Sequence, residues 1–215
     1  MIKKNDFIEF MAEAGVLTFG DFTTKSGRKT PYFVNTGNYK TGKHISVLGD
    51  YYADSVRDSG IEFDALYGPA YKGITLAAAT ASSLYRNHGI DVPYFFNRKE
   101  AKDHGEGGSL VGYKPKNGDR LVIIEDVVTA GTAVRESLEL LRAVADVKVV
   151  ALFVSVDRME RGTGKQSTLN ELRDEFGIEV FSIINARDII ASFPAGDERI
   201  AKMEAYLAEY GASGT

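Results

Sequence analysis

Three stretches of the chain are apolar at nearly every position: LVII at 121–124, VKVVALFVSVD at 147–157 and the shorter FDALYGP at 63–69. A strand with one wet face alternates apolar and polar residues. A strand apolar throughout must be covered on both sides, which is the habit of parallel sheets sandwiched by helices. Helical patterns separate these runs. GITLAAATASSLYRNHG (73–89) is rich in small residues, a segment from Gly131 places Val134, Leu138, Leu141 and Ala145 on one face, and STLNELRDEFG (167–177) ends on glycine. VPYFFNRK (92–99) and IEVFSIIN (178–185) add two strands. Strands and helices in alternation predict an α/β fold built on a central parallel sheet flanked by helices.

The N-terminal part departs from that alternation. Asn5 followed by FIEFMAEAG reads as a capped helix stopped by Gly15, and 18–37 is turn-rich with β-like pieces around Phe19 and 32–34. A helix over 43–58 aligns Ile45, Leu48, Tyr52 and Val56. The reading is one domain, with a small hood over about 1–40 and an α/β core over about 41–210. ARDIIASF and the stretch after Asp197 read as helices, and the tail GASGT as frayed.

Composition removes several functions. The chain has no cysteine, which excludes thiol chemistry and disulfides. Three histidines without paired spacing leave no zinc signature, and His44 and His88 read as surface or capping residues. A net charge of -4 argues against a nucleic-acid surface. The sequence shows no run suited to a membrane span or signal peptide, so the expectation is a cytoplasmic protein. GTGKQS near 164 lacks the glycine and hydroxyl of a Walker loop, with Met159 and Gln166 in their places, and there is no GxGxxG.

The chemistry concentrates in LVIIEDVVTAGTA, 121–133. A buried strand runs into two acids, Glu125 and Asp126, then into small residues that open a helix. Backbone N–H groups at such a turn can close around a phosphate, aided by threonine hydroxyls. Acids beside a phosphate are useful when the ligand also brings hydroxyl donors or a developing positive centre. A ribose 5-phosphate brings both. Read blandly, the segment is an ordinary strand-loop-helix with solvated acids. NRKEAKDHGEGGSLVG (97–112) gathers Arg98, Lys99, Lys102 and His104 beside Gly105, Gly107 and Gly108. This suits a basic lid over a polyanion, although mixed charge more often marks a solvated loop. GPAYKG (68–73) marks a turn where backbone can approach closely.

LVIIEDVVTAGTA resembles the phosphoribosyl pyrophosphate (PRPP) motif of the type I phosphoribosyltransferases, and RKEAKDHGEGG resembles the catalytic loop of their orotate-specific branch. The resemblance extends from about residue 18 to 164. It implies that Glu125 and Asp126 meet the ribose hydroxyls and that Val127, Val128, Thr129, Ala130, Gly131, Thr132 and Ala133 hold the 5-phosphate. It further implies PRPP contacts from Lys25, Tyr71, Lys72, Arg98, Lys99, Lys102 and His104. Lys25, Lys102 and Asp126 would be the catalytic residues. Orotate would be met by Phe33, Val34, Thr129 and Arg158, the arginine gripping its carboxylate. The family commonly has two aromatics where this chain has Phe33-Val34, so backbone contacts would carry more of the base there. Mg²⁺ would be the cofactor, held mainly by PRPP and water, and the assembly a homodimer in which Lys99 and His104 reach the neighbouring site. A transferase for a purine or uracil, and a non-catalytic PRPP sensor, are the alternatives; the loop and Arg158 disfavour the first, and the absence of an added basic segment the second.

Overall fold

The computed structural model describes residues 3–24, 27–99, 109–162 and 164–212. A six-stranded sheet has the order β5-β4-β3-β6-β7-β8, from β3 (Ala65–Gly68), β4 (Tyr94–Asn97), β5 (Leu110–Gly112), β6 (Arg120–Ile124), β7 (Lys148–Asp157) and β8 (Glu179–Asn185). Pairings β3–β4, β3–β6, β6–β7 and β7–β8 are parallel. Only β5 at the edge is antiparallel, against β4. Its residues were read at the sequence level as part of a long loop, since three residues are too few to show a period.

Side chains leave the sheet alternately to two cores. Leu66, Val122 and Ile124 enter one, with α1 (Lys4–Glu13), α2 (Gly42–Ser59) and α3 (Lys72–His88). Ala65, Tyr67, Leu121 and Ile123 enter the other, with α4 (Thr132–Val144) and α5 (Thr168–Phe176). This two-sided burial is what the unbroken apolar runs demand. On α2, Leu48, Tyr52 and Val56 are buried, as the helical spacing requires. The short α6 (Ala186–Ala191) starts with a capping box between Asn185 and Asp188, and α7 (Glu198–Tyr210) is capped by Asp197.

The N-terminal part is more regular than its composition suggests. Leu17–Thr23 (β1) and Lys29–Val34 (β2) pair as an antiparallel hairpin. It shares a buried cluster with the core through Leu17 and Tyr32. Helix α1 begins two residues earlier than expected. Lys3, without a side-chain cap bond, is its N-cap, and Asn5 lies inside the first turn. Gly15 ends it at φ 66°, a left-handed conformation that glycine tolerates.

Among the strands joined in parallel, the chain moves outward from β3 to β4, then returns to the other side of β3 with β6. The direction of winding reverses between β3 and β6. In open α/β sheets, ligands bind at such a switch point, beyond the carboxyl ends of the strands. Among the described residues no helix is long and apolar enough to cross a membrane.

Candidate active site

The loops leaving β3 and β6 face each other across the switch point. They line a cleft of about 350 Å³ formed by Ala70, Tyr71, Lys72 and every residue from Glu125 to Val134. Close packing of the first loop depends on glycine. A Cβ on Gly68 would collide with the carbonyl oxygen of Gly73, and one on Gly73 would lie 2.9 Å from the carbonyl oxygen of Ile124. The close approach anticipated from GPAYKG is thus between backbone segments. Asn97 Oδ1 fixes the loop by accepting from the N–H of Ala70 at 2.8 Å.

The second loop is anchored from both sides of the sheet. Val127 packs on one core and Val128 on the other, so these residues offer a ligand their backbone. Thr129, Ala130, Thr132 and Ala133 are exposed. Gly131, at φ 76°, caps α4 without a side-chain bond, leaving the first-turn N–H groups facing outward. Two residues not anticipated from sequence brace the turn. Thr168 Oγ1 donates to the carbonyl of Thr129 at 2.7 Å, and Arg135 Nη1 to that of Ala130 at 3.2 Å.

The two acids have different environments. Asp126 Oδ2 accepts from Lys72 Nζ at 2.7 Å and Thr36 Oγ1 at 2.5 Å, and Lys72 Nζ also donates to Thr36 Oγ1 at 2.8 Å. Burial is the largest single influence on Asp126 and pushes its pKa up. Donors from Lys72, Thr36 and the N–H of Val127 together outweigh it and hold the carboxyl below its usual range. Glu125 is nearly sealed at 9% exposure. Burial, reinforced by the charge of Asp126, raises it to about 8 despite the hydrogen bond from the N–H of Asp126. One carboxylate is therefore kept ionised and its neighbour kept protonated near neutrality. The strand end beneath them is pinned by Tyr52, whose hydroxyl donates to the carbonyl of Glu125 at 2.6 Å, and by Ser155, whose hydroxyl donates to that of Asp126 at 2.7 Å.

Residues 35–181, which carry both loops of this cleft, match the phosphoribosyl transferase domain. The chain is 49% identical over 218 residues to the orotate phosphoribosyltransferase of Lachnoclostridium phytofermentans, covering 97% of each. It is 49% identical over 211 residues to that of Salmonella newport, covering 97% of this chain and 98% of the relative. The chain belongs to the orotate phosphoribosyltransferase family. A crystal structure of the family member from Francisella tularensis superposes with a TM-score of 0.88 at 37% identity, over 96% of this chain and all of that one.

The remaining expected residues lie in several parts of the fold. Lys99 Nζ lies 5.0 Å from the centroid of the Tyr71 ring, bringing two of them together at the cleft. Arg98 donates its N–H to the carbonyl of Ser109 at 2.7 Å, at the neck of the segment between β4 and β5. Phe33 is 41% exposed, its ring 5.6 Å from Phe22, whereas Val34 packs inward against the core. Arg158 follows the end of β7, stacked 4.3 Å over the Tyr32 ring and bound to Glu160. Lys25, Lys102 and His104 lie outside the described residues. Thr36 is a further neighbour of the site that the sequence reading did not name. Its contact spans 90 residues, and no local pattern announces it.

Proposed function

We propose that the chain transfers the phosphoribosyl group of PRPP to orotate at this cleft, giving orotidine 5'-phosphate and pyrophosphate, a step of de novo pyrimidine biosynthesis. The observation that carries the reading is the pairing of an ionised Asp126 with the uncapped N-terminus of α4 at the switch point. The helix N-terminus supplies N–H donors and a positive dipole end for the 5-phosphate. Asp126 accepts from a ribose hydroxyl, and its charge offsets positive charge on the ring as the C1–oxygen bond to pyrophosphate breaks. Protonated Glu125 adds little repulsion toward the substrate's phosphates. The C1–N1 bond forms as the electron pair of the broken bond leaves with pyrophosphate, and the N1 proton of orotate is released.

Lys72 and Tyr71 stand where the pyrophosphate would lie, and the basic 98–104 segment would close over it. Arg158 supplies the donor for the carboxylate that separates orotate from uracil. Mg²⁺, which prefers oxygen, would be held mainly by the phosphates of PRPP and by water, with ionised Asp126 as the nearby protein oxygen. When bound, Mg²⁺ would neutralise charge on the departing pyrophosphate. We further propose a cytoplasmic homodimer whose Lys99 and His104 serve the neighbouring site. Formation of orotidine 5'-phosphate from orotate and PRPP, with and without Mg²⁺, tests the reading. Product that depends on both substrates and the metal supports it, and turnover of a purine or uracil instead of orotate contradicts it.

A further inference from the structure

The loop after β7 holds its arginine in an unusual way. Arg158 Nε and Nη2 both reach Glu160 Oε1, at 2.8 and 2.6 Å. Residues two apart meet here because Met159, between them, adopts a left-handed backbone at φ 55°. For a non-glycine residue this is a sparsely populated conformation, kept only where the surroundings enforce it. Asp157 does so by accepting the N–H of Met159 at 2.7 Å, and Met159 itself is buried. Glu160 then gathers two other parts of the chain. Its Oε2 accepts from Arg28 Nη1 of the hood at 3.1 Å, and its Oε1 from the hydroxyl of Tyr206 on α7 at 2.7 Å. The Tyr32 ring forms a floor beneath Arg158, and Thr30 Oγ1 lies 3.4 Å from Nη2. Among the described residues, Nη1 of Arg158 has no hydrogen-bond partner.

We infer that Glu160 is a positioning residue for substrate specificity: it fixes the guanidinium of Arg158 so that the remaining donors present a preset edge to the carboxylate of the base. The inference rests on the reading that Arg158 receives that carboxylate. An arginine free to rotate loses substantial side-chain entropy when it captures a ligand, and one already held does not. Glu160 could instead cancel the charge the substrate needs. Glu160 is divided between Arg28 and Arg158, so it does not spend its charge on Arg158 alone. Its side chain is 20% exposed and that of Arg158 14%, so screening by water is limited.

The test compares Glu160→Gln, Arg158→Ala and the double variant in steady-state assays, varying orotate and PRPP separately. Glu160→Gln raises the KM for orotate about tenfold and leaves that for PRPP within about twofold; in the Arg158→Ala background it adds nothing. Equal losses toward both substrates, or effects that simply add, overturn the positioning role. If Arg158→Ala leaves the KM for orotate unchanged, the reading of Arg158 itself is wrong. If it raises that KM and Glu160→Gln does not, only the role of Glu160 falls. Should Glu160→Gln lose its fold, Tyr206→Phe carries the test by deleting one donor to Oε1. A rise of about threefold in the KM for orotate alone supports the proposal, and no change overturns it.

Discussion

Glu125 should make the stability of this protein depend on pH between about 5 and 8, above the range in which carboxylates ordinarily titrate. Burial raises its pKa from 4.5 to about 8. Between those values the folded chain holds a proton that the unfolded chain has released. Its contribution is therefore fully present below pH 4.5 and is lost progressively as the pH climbs to 8, at up to about 1.4 kcal/mol per unit. From pH 5 to pH 7 the loss accumulates to about 2.5 kcal/mol by the same linkage. Glu125→Gln keeps the size and the oxygen that accepts the N–H of Asp126, and it cannot ionise. The variant should match the natural chain near pH 4.5 and exceed it by about 3 kcal/mol at pH 7. Urea unfolding at pH 5, 6, 7 and 8 measures this. A gap between the two proteins that stays constant across the series refutes burial as the cause of the shift.

Gly68→Ala forces a methyl group into the backbone of Gly73 and to 2.9 Å from Ala77 Cβ, so it should destabilise by about 3 kcal/mol and lower Tm by roughly 9 °C in a thermal melt. Lys102→Ala should reduce kcat by about 10²- to 10³-fold with a much smaller change in orotate affinity, as expected of a group acting on the leaving pyrophosphate; comparable losses in both would contradict that role. Mixing an Asp126→Asn chain with a Lys102→Ala chain, and separately with a Lys99→Ala chain, should recover activity in at least one hybrid, measured as product formation. No recovery in either contradicts a site shared between subunits.

The strands of the sheet were legible because their signal is local, whereas the strand order that creates the switch point was not. LVII at 121–124 is short, apolar throughout and rich in β-branched residues, which favours an interior strand, and the two acids that follow it stand at the strand's end. The three-residue strand at Leu110–Gly112 was not legible, since its existence depends on Phe95 and Phe96 offering an edge. Asn5 was misread as a cap because cap residues are recognised by type, while the start of α1 is set by the burial of Phe7, Ile8 and Met11. Site residues carried on motifs, such as Lys72 and Asp126, were found together in the cleft. Thr36, Tyr52 and Thr168 were not named, because each reaches the site through a contact between segments far apart in sequence. Arg158 was found by type, but its partners Glu160, Arg28 and Tyr206 emerge only where hood, strand and C-terminal helix converge.

The central claim concerns where one substrate sits, and a crystal structure of the protein with PRPP bound measures that directly. The account predicts the 5-phosphate against the N–H groups of residues 129–133 and a ribose hydroxyl on Asp126. Lys72 should have moved from Asp126 toward the pyrophosphate. A sugar phosphate bound elsewhere, with the Lys72–Asp126 pair intact and the turn after β6 empty, would contradict it.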